Sequence, residues 1–462
     1  MANQSLFTTY GKQVQCLQTY FSLTASIPAL NSPTIPLTVL YGFLSKPTTW
    51  PGLTPVPTED VYSLKQAQKN MFVAKRIKAS DVSVIIQRID WTSGTTYDEY
   101  SDKIDMFEID PAGQLIREFY VKNSFDQIFK CLYNNGGSPS TDEPFFQPGQ
   151  YNTQNIFQGS DGYKWKFMYT IDIGNKIKFL DANWIPVPVV FIVPDSLTSS
   201  EGAGGLEVIN ITSGGVGYSN SNVISVIVSG DGQGATARAN RLDATGAILD
   251  VEVLTPGSNY TTANVTFVSA SGSGATASAP TSPVGGHGFD VIAELGARNL
   301  MVSAEFDGNE ELNNIQYIPT DLKYFQMGLL INPTDLTGYP NSSNGDIFKT
   351  TTDLLVSQGP GQYDSGEFVY QSPDGTLPNQ TWIGTILSFD SGNSVISVIN
   401  TTGTVSPGSQ IFGATTGTTR TLLSITTPNF DIYSGYVIYI QNLDGVTRSA
   451  DGIEQFKIVL GH

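Results

Sequence analysis

Two histidines, His287 and His462, are the only imidazoles in a chain of 462 residues. Histidine is the commonest general base and a frequent metal ligand, but two isolated copies make neither an HExxH helix nor a histidine cluster. His287 sits between Gly286 and Gly288, with Gly285 one step earlier, a setting that reads as a turn or hinge. A general base also needs a partner that orients it, and its sequence neighbours offer none. His462 is the last residue and reads as unconstrained.

Other groupings are equally open to plain readings. Asp98, Glu99, Asp102, Asp105, Glu108 and Asp110 could supply calcium ligands or a glycosidase pair. They lack the Asp-x-Asp-x-Asp-Gly calcium spacing, and sequence establishes no paired-carboxylate geometry, so they read as a solvated acidic face. Gly230-Asp-Gly232-Gln-Gly234 resembles a phosphate-cradling loop, but Ala235-Thr-Ala-Arg-Ala follows where that mechanism needs a helix and a Lys-Ser/Thr. It reads as a turn. Tyr163, Trp165, Phe167 and Tyr169 alternate with Lys164, Lys166 and Met168, which gives a strand one aromatic face. A sugar- or base-stacking platform would look like this, and so would a strand that packs its aromatic face into a core. Cys16 and Cys131 belong to no CxxC pair and read as reduced thiols. The sequence therefore assigns no catalytic, cofactor-binding or metal-binding residue.

The elements that must position these groups are mostly strands. Phe7, Tyr10, Val14, Leu17 and Phe21 recur at helical spacing, and Thr38–Leu44 reads as a buried strand. Four prolines between Lys46 and Thr58 forbid regular structure there. Thr58-Glu59-Asp60 offers a helix start, with Val61, Leu64, Gln68 and Met71 on one side, and Val82–Ile86 is strand-like. Strands are expected at Lys103–Ile109, Asp126–Leu132, Tyr163–Ile171 and in the run from Trp184 to Val193, with a turn at Asn134–Gly137. Glu305–Asn314 reads as a charged, helical stretch, Tyr324–Ile331 as a strand, and 353–427 as a small β-barrel or sandwich.

The segment 196–288 differs in kind, being poor in aromatics and rich in Gly, Ser, Thr, Ala and Val. Gly217-Tyr218 with Asn222-Val223 and Gly234-Ala-Thr-Ala237 is echoed by Asn259-Tyr260 with Asn264-Val265 and Gly274-Ala-Thr-Ala277, an offset of about forty residues. Gly246–Leu254 alternates as a half-buried strand does. The expected fold class is α+β, mostly β, with sandwich- or barrel-like domains and a small repeat-containing all-β insertion. The expected parts are a mixed 1–91, a β-rich 92–195, the two-repeat module 196–288, and a β-rich 289–462 that completes the N-terminal domain.

Composition narrows the function. Forty-two acidic against 24 basic residues give a net charge of −18, which repels a phosphate backbone, so nucleic acid is not an expected ligand. Charged residues are only 14% of the chain, against about 25% in an average soluble protein, which suits surfaces that end up against other proteins. The first residues lack the pattern of a secretory signal, and no stretch approaches the ~18 apolar residues of a membrane span.

Several segments resemble the baseplate wedge protein encoded by gene eight of T-even-like contractile phages. They are Tyr41–Pro51 with the helix start near Asp60, Ser80–Ser83 leading into Arg88–Asp98, Phe129–Gly137, Asp161–Thr170 with Lys178–Leu180, and Ser434–Asn442 with Arg448–Asp451 and Glu454–Ile458. They lie in about the first two hundred residues and roughly the last thirty. The repeat of 196–288 departs from the shorter T-even pattern and looks like an added decoration domain. The resemblance implies an elongated multidomain homodimer that joins other wedge proteins in a virion baseplate and is assembled in the host cytoplasm. It implies no enzyme activity, no cofactor, and no nucleic-acid, membrane or small-molecule partner. The alternative is a carbohydrate-binding or glycan-depolymerising tail protein, suggested by the aromatics, the acids and the Gly/Thr-rich repeats. On the wedge reading, deletion of about Thr198 to Gly285 is expected to leave folding and dimerisation intact.

Overall fold

The computed structural model describes residues 8–24, 38–147, 155–189, 204–219, 221–307, 311–312, 315–316, 320–336, 347–449 and 452–461. In chain order these begin with α1 (Thr9–Thr24), β1 (Leu40–Ser45), α2 (Val61–Lys69), β2 (Met71–Arg76) and β3 (Val82–Gln87). Then come β4 (Tyr120–Lys122), β5 (Gln127–Tyr133), β6 (Ile156–Gln158), β7 (Lys164–Thr170), α3 (Ile173–Phe179) and β8 (Trp184–Val187). The repeat segment supplies β9 (Asn210–Val216), β10 (Ile224–Gly230), β11 (Gln233–Leu242), β12 (Ile248–Ser258), β13 (Ala263–Ser269) and β14 (Ser273–Ser278). After α4 (Val291–Glu294) follow β15 (Asn299–Asp307), β16 (Glu311–Leu312), β17 (Ile315–Gln316), β18 (Leu322–Ile331) and β19 (Ile347–Lys349). The last are β20 (Thr352–Val356), β21 (Phe368–Gln371), β22 (Trp382–Asp390), β23 (Val395–Gly403), β24 (Gln410–Gly413), β25 (Thr419–Thr426), β26 (Tyr436–Arg448) and β27 (Ile453–Gly461). Strand takes 46% of the described residues and helix 11%, so the protein is mostly β.

The chain divides into two compact units. One comprises Met1–Gln18, Ser83–Met301 and Val459–His462, the other Thr19–Val82 and Val302–Ile458. In the second, β1 lies between β2 and β18 in the order β19-β2-β1-β18-β26, so N-terminal strands are completed by C-terminal ones. Tyr41, Phe43, Leu330, Phe348 and Phe430 form its core. The same unit holds a closed six-stranded barrel in the order β20-β23-β22-β21-β24-β25, where a barrel or sandwich was expected. In the first unit β4-β5-β7-β6 form an antiparallel sheet, and β3 pairs with β8.

Local signals explain the short helices. Asp60, Asp172 and Asp290 each cap a helix by accepting from a backbone N–H three residues on, as short acidic side chains do at N-caps. No described helix is long and apolar enough to cross a membrane.

Several expectations are corrected. Lys103–Ile109 forms turns, tied by Asp105 accepting from Phe107 and Asp110 from Ala112 and Gln114, so only the bridge Ile109–Leu115 is strand-like. Glu305–Asn314 carries strand at β15 and β16, because Leu300, Val302, Ala304 and Phe306 alternate into a core at period two; residues 308–310 and 313–314 lie outside the described residues. On α1 the apolar stripe is outward: Tyr10, Val14 and Phe21 are exposed, whereas Gln13 and Cys16 are buried and Gln13 donates to the carbonyls of Ile292 and Ala293. On α2, Val61 is exposed while Ala67 and Gln68 face inward, and Met71 already belongs to β2. Phe7, Val190–Val193 and His462 lie outside the described residues.

The repeat segment has an internal pseudo-twofold. β9, β10 and β11 are echoed by β12, β13 and β14, but each copy's third strand pairs with the other copy's first. Val216, Gly214, Ser213 and Ile211 of β9 face Ser273, Ala275, Thr276 and Ala277 of β14. Ser258, Pro256, Thr255 and Val253 of β12 face Gln233, Ala235, Thr236 and Ala237 of β11 in the same register. The two copies meet across β10–β13. The hydroxyl of Tyr218 in the first copy accepts from the N–H of Ala275 in the second, and that of Tyr260 in the second accepts from the N–H of Ala235 in the first. Each tyrosine ring lies on a glycine of the opposite copy, Tyr218 on Gly272 and Tyr260 on Gly232, and a Cβ at either glycine would fall inside the ring.

Candidate functional site

The richest gathering of ionisable groups lies on one face of the β4-β5-β7-β6 sheet, and it forms because β5 and β7 are buried on both sides. Cys131 stands opposite Trp165 and Lys130 opposite Lys166. Strand alternation sends Cys131 and Trp165 to one face and Lys130, Lys164 and Lys166 to the other. The first face is the aromatic core of Tyr97, Val121, Phe129, Tyr163 and Trp165, with Trp165 stacked on Tyr163 and edge-on to Tyr97. The expected aromatic face is thus a core face, and the lysine face opposite it is covered as well.

Two like charges across a strand pair repel, so each buried lysine needs a carboxylate. Lys130 Nζ is 2.9 Å from Glu294 Oε2, with both side chains 1% exposed. Lys166 Nζ is 3.1 Å from Glu207 Oε2, and Lys164 Nζ is 2.7 Å from Asp250 Oδ1. Glu207 and Asp250 come from the repeat segment, and Glu294 ends the short α4 that follows it.

His287 joins this cluster, which corrects its reading as a turn residue and nothing more. Its Nδ1 lies 3.1 Å from Lys130 Nζ and 3.3 Å from Glu294 Oε2, and its N–H donates to Glu207 Oε1 at 2.6 Å. The glycines that suggested a hinge serve this approach, since Gly288 N–H donates to Glu294 Oε1 at 2.7 Å. Lys130 also sits 4.1 Å over the Tyr100 ring, and that ring meets His287 edge-on. An ammonium has three protons, and these three contacts fit Lys130 donating to Glu294, to His287 Nδ1 and toward the Tyr100 face. His287 is then neutral with its proton on Nε2, which has no partner in its buried position.

The electrostatics follow. Burial, reinforced by Lys130, lowers the His287 pKa to about 4. Glu294 is held at about 2; burial works against its charge, and the neighbouring Lys130 ammonium outweighs that. Burial also lowers Lys130, with Glu294 opposing.

Apolar and neutral contacts complete the mount. Val208 packs with Leu132 and Ile156, the Asn210 amide donates to Leu132 O, and Tyr133 donates to Ile211 O. Tyr100 donates to Thr281 O, whose N–H and hydroxyl donate to Asp102. Sequence reasoning missed this assembly. The available signal was Asp250, which falls in step with Ile248 on the alternating strand, and two lysines on a strand of a charge-poor chain.

The six acids do not converge. Asp98 accepts from Glu118 N–H, Glu108 pairs with Arg117, Asp102 accepts from Thr281, and Asp105 and Asp110 serve the turns above. Glu99 is half-buried, which raises its pKa, and accepts from Asn134 N–H. Among the described residues no three His, Cys, Asp or Glu side chains stand together as a metal group. Gly230–Gly234 is the turn between β10 and β11. Cys16 and Cys131 are free and buried, and burial pushes the Cys16 thiol up to about 12 and Cys131 well above its ordinary value, so neither is a poised nucleophile.

The second unit carries a groove of about 470 Å³ between Pro57–Glu59, Leu64 and Val437–Ile440 of the edge strand β26. Tyr436 and Ile438 on that strand and Val61 and Tyr62 on α2 are exposed. Farther along, the proline loop covers the edge, with Trp50 donating to Leu443 O and Asn442 to Pro55 O.

No family model and no curated protein matches this chain.

Proposed function

We propose that this chain is a structural subunit of a contractile phage tail baseplate wedge, acting through protein–protein contacts in virion assembly. The observation that carries the reading is a convergence of the segments that resemble the wedge family. Trp91–Asp98, Phe129–Gly137 and Asp161–Thr170 meet around one core. Trp91 donates to Ser140, which donates to Asp161; Asn134 donates to Tyr97 O and Asn135 to Asp161 O; Trp165 packs between Tyr97 and Tyr163. The residues that carry the resemblance are therefore packing and turn residues, as expected of a scaffold.

Two further features support it. The groups best suited to acid–base work, His287, Glu294 and Lys130, are buried and bonded to one another, and the His287 backbone N–H donates to Glu207 ahead of β9. The exposed Val61, Tyr62, Tyr436 and Ile438 give the second unit an apolar surface of the kind that partners cover. On this reading the partners are a second copy and other wedge proteins. Nucleic acid, membrane and small-molecule substrates are not among them, and the chain acts in the virion after assembly in the host cytoplasm. The glycan-binding alternative loses one of its three motives, because the aromatic strand is a core strand.

Immunogold electron microscopy of purified contractile tails tests the proposal. Antibody against this chain should mark the baseplate, and tails that carry no label would overturn it.

A further inference from the structure

We infer that the contact between the β9–β14 module and the β4-β5-β7-β6 sheet is a pH-sensitive latch whose trigger is His287. The geometry sets a cost on protonating the imidazole. Lys130 Nζ, on β5, lies 3.1 Å from its Nδ1, beside Glu294 Oε2 at 3.3 Å, and Nε2 is buried with no hydrogen-bond partner among the described residues. A proton on Nδ1 would remove the acceptor from Lys130 and set two positive charges against each other at that distance. Facing the ring are Lys130, Glu294 of α4, Glu207 ahead of β9 and the Tyr100 ring, with Lys166 of β7 behind Glu207 and Asp102 beyond Tyr100. Glu294 and Glu207 favour the imidazolium, but each is already paired to a lysine, and burial decides the balance against it.

The module is suited to separating as a body. Its strands pair within the module, across β9–β14, β11–β12 and β10–β13. Its links to the sheet are side-chain bonds, the small Val208 contact and two ion pairs, of which Lys166–Glu207 shares Glu207 with the His287 backbone N–H. Release would leave the module's own ladders intact while Lys130, Lys164 and Lys166 gain water.

The sign follows from linkage. The imidazole titrates near 4 when latched, below its ordinary 6.5, so the open form binds the proton more tightly. The latch is at full strength above pH 6.5 and weakens as pH falls. One proton taken up on opening raises the opening equilibrium about tenfold per pH unit between 6.5 and about 4.

Amide hydrogen exchange on the full chain, corrected for the intrinsic rate, reads this directly. Residues 204–210 and 281–288 should lose protection about tenfold per pH unit in that window, while the β10–β13 pairing keeps its protection. His287→Gln, whose amide oxygen still accepts from Lys130, should flatten the slope. If that variant fails to fold, His287→Asn, which likewise carries no titrating imidazole, should flatten it too. An unchanged slope in the variants, a flat profile in the parent chain, or simultaneous loss at β10–β13 would overturn the inference.

Discussion

The barrel of β20–β25 has a cluster of ten buried residues, Trp382 among them, while the equally six-stranded β9–β14 module has a central cluster of four, Ile209, Tyr218, Ile248 and Val251. The barrel closes on itself, with β20 pairing to both β23 and β25. Its buried Arg420 is answered locally by the carbonyls of Ser357, Gly359 and Gly361. The module instead relies on strand exchange between its copies, on two tyrosine–glycine contacts, and on ion pairs to a sheet outside it. Around those four the module packs Ile, Val, Leu, Phe and Ala side chains that are only partly buried. The difference teaches that one six-stranded body can be closed by its own pairing while another is held by exchange between repeats and by contacts outside it.

The largest expected effect is on deletion of residues 198–285. That change removes Glu207 and Asp250 from Lys166 and Lys164 and strips Val208 from Leu132 and Ile156. The structure thereby replaces the expectation of an innocuous deletion: soluble yield should collapse, and Lys164→Gln with Lys166→Gln in the deleted chain should restore it. Equal yield for both deletions would break the comparison.

Trp382→Ala should cost the barrel about 3–5 kcal/mol in denaturant unfolding, as for other buried aromatic truncations. A loss below ~1 kcal/mol would mean that the barrel, like the module, is held from outside.

At the mount, Lys130→Met alone should cost about 3–5 kcal/mol by stranding Glu294, and adding Glu294→Met should recover most of it. Thermal or urea unfolding of the four chains separates a buried ion pair from simple packing, since packing losses would add.

The smallest effects test the pseudo-twofold. Gly232→Ala and Gly272→Ala each press a methyl into a tyrosine ring and should cost about 1–3 kcal/mol, by closely matched amounts. A cost at only one glycine would show that the two copies do not share their load.

Much of the fold was legible in the sequence. Asp60 announced α2, alternation announced β7, the run Tyr324–Ile331 announced β18, and the Gly-Ala-Thr-Ala echo announced the repeat, because those signals are local. Strand exchange was not legible, since nothing in a repeat says which copy its third strand will join. The outward stripe of α1 misled because periodicity reports a face and not what covers it. The cluster around His287 was hidden for a related reason. Its members come from β5, β7, the start of the repeat and α4, and only the sheet register places Lys130 opposite Lys166. The aromatic strand was read correctly on one face, and its lysine face needed the fold to show that it too is covered.

The central claim is that this chain is an assembly subunit, and its native mass measures that most directly. Light scattering should give a dimer for the purified chain, and a larger complex of defined mass when neighbouring wedge proteins are added. A monomer that stays monomeric with every wedge partner would contradict the account.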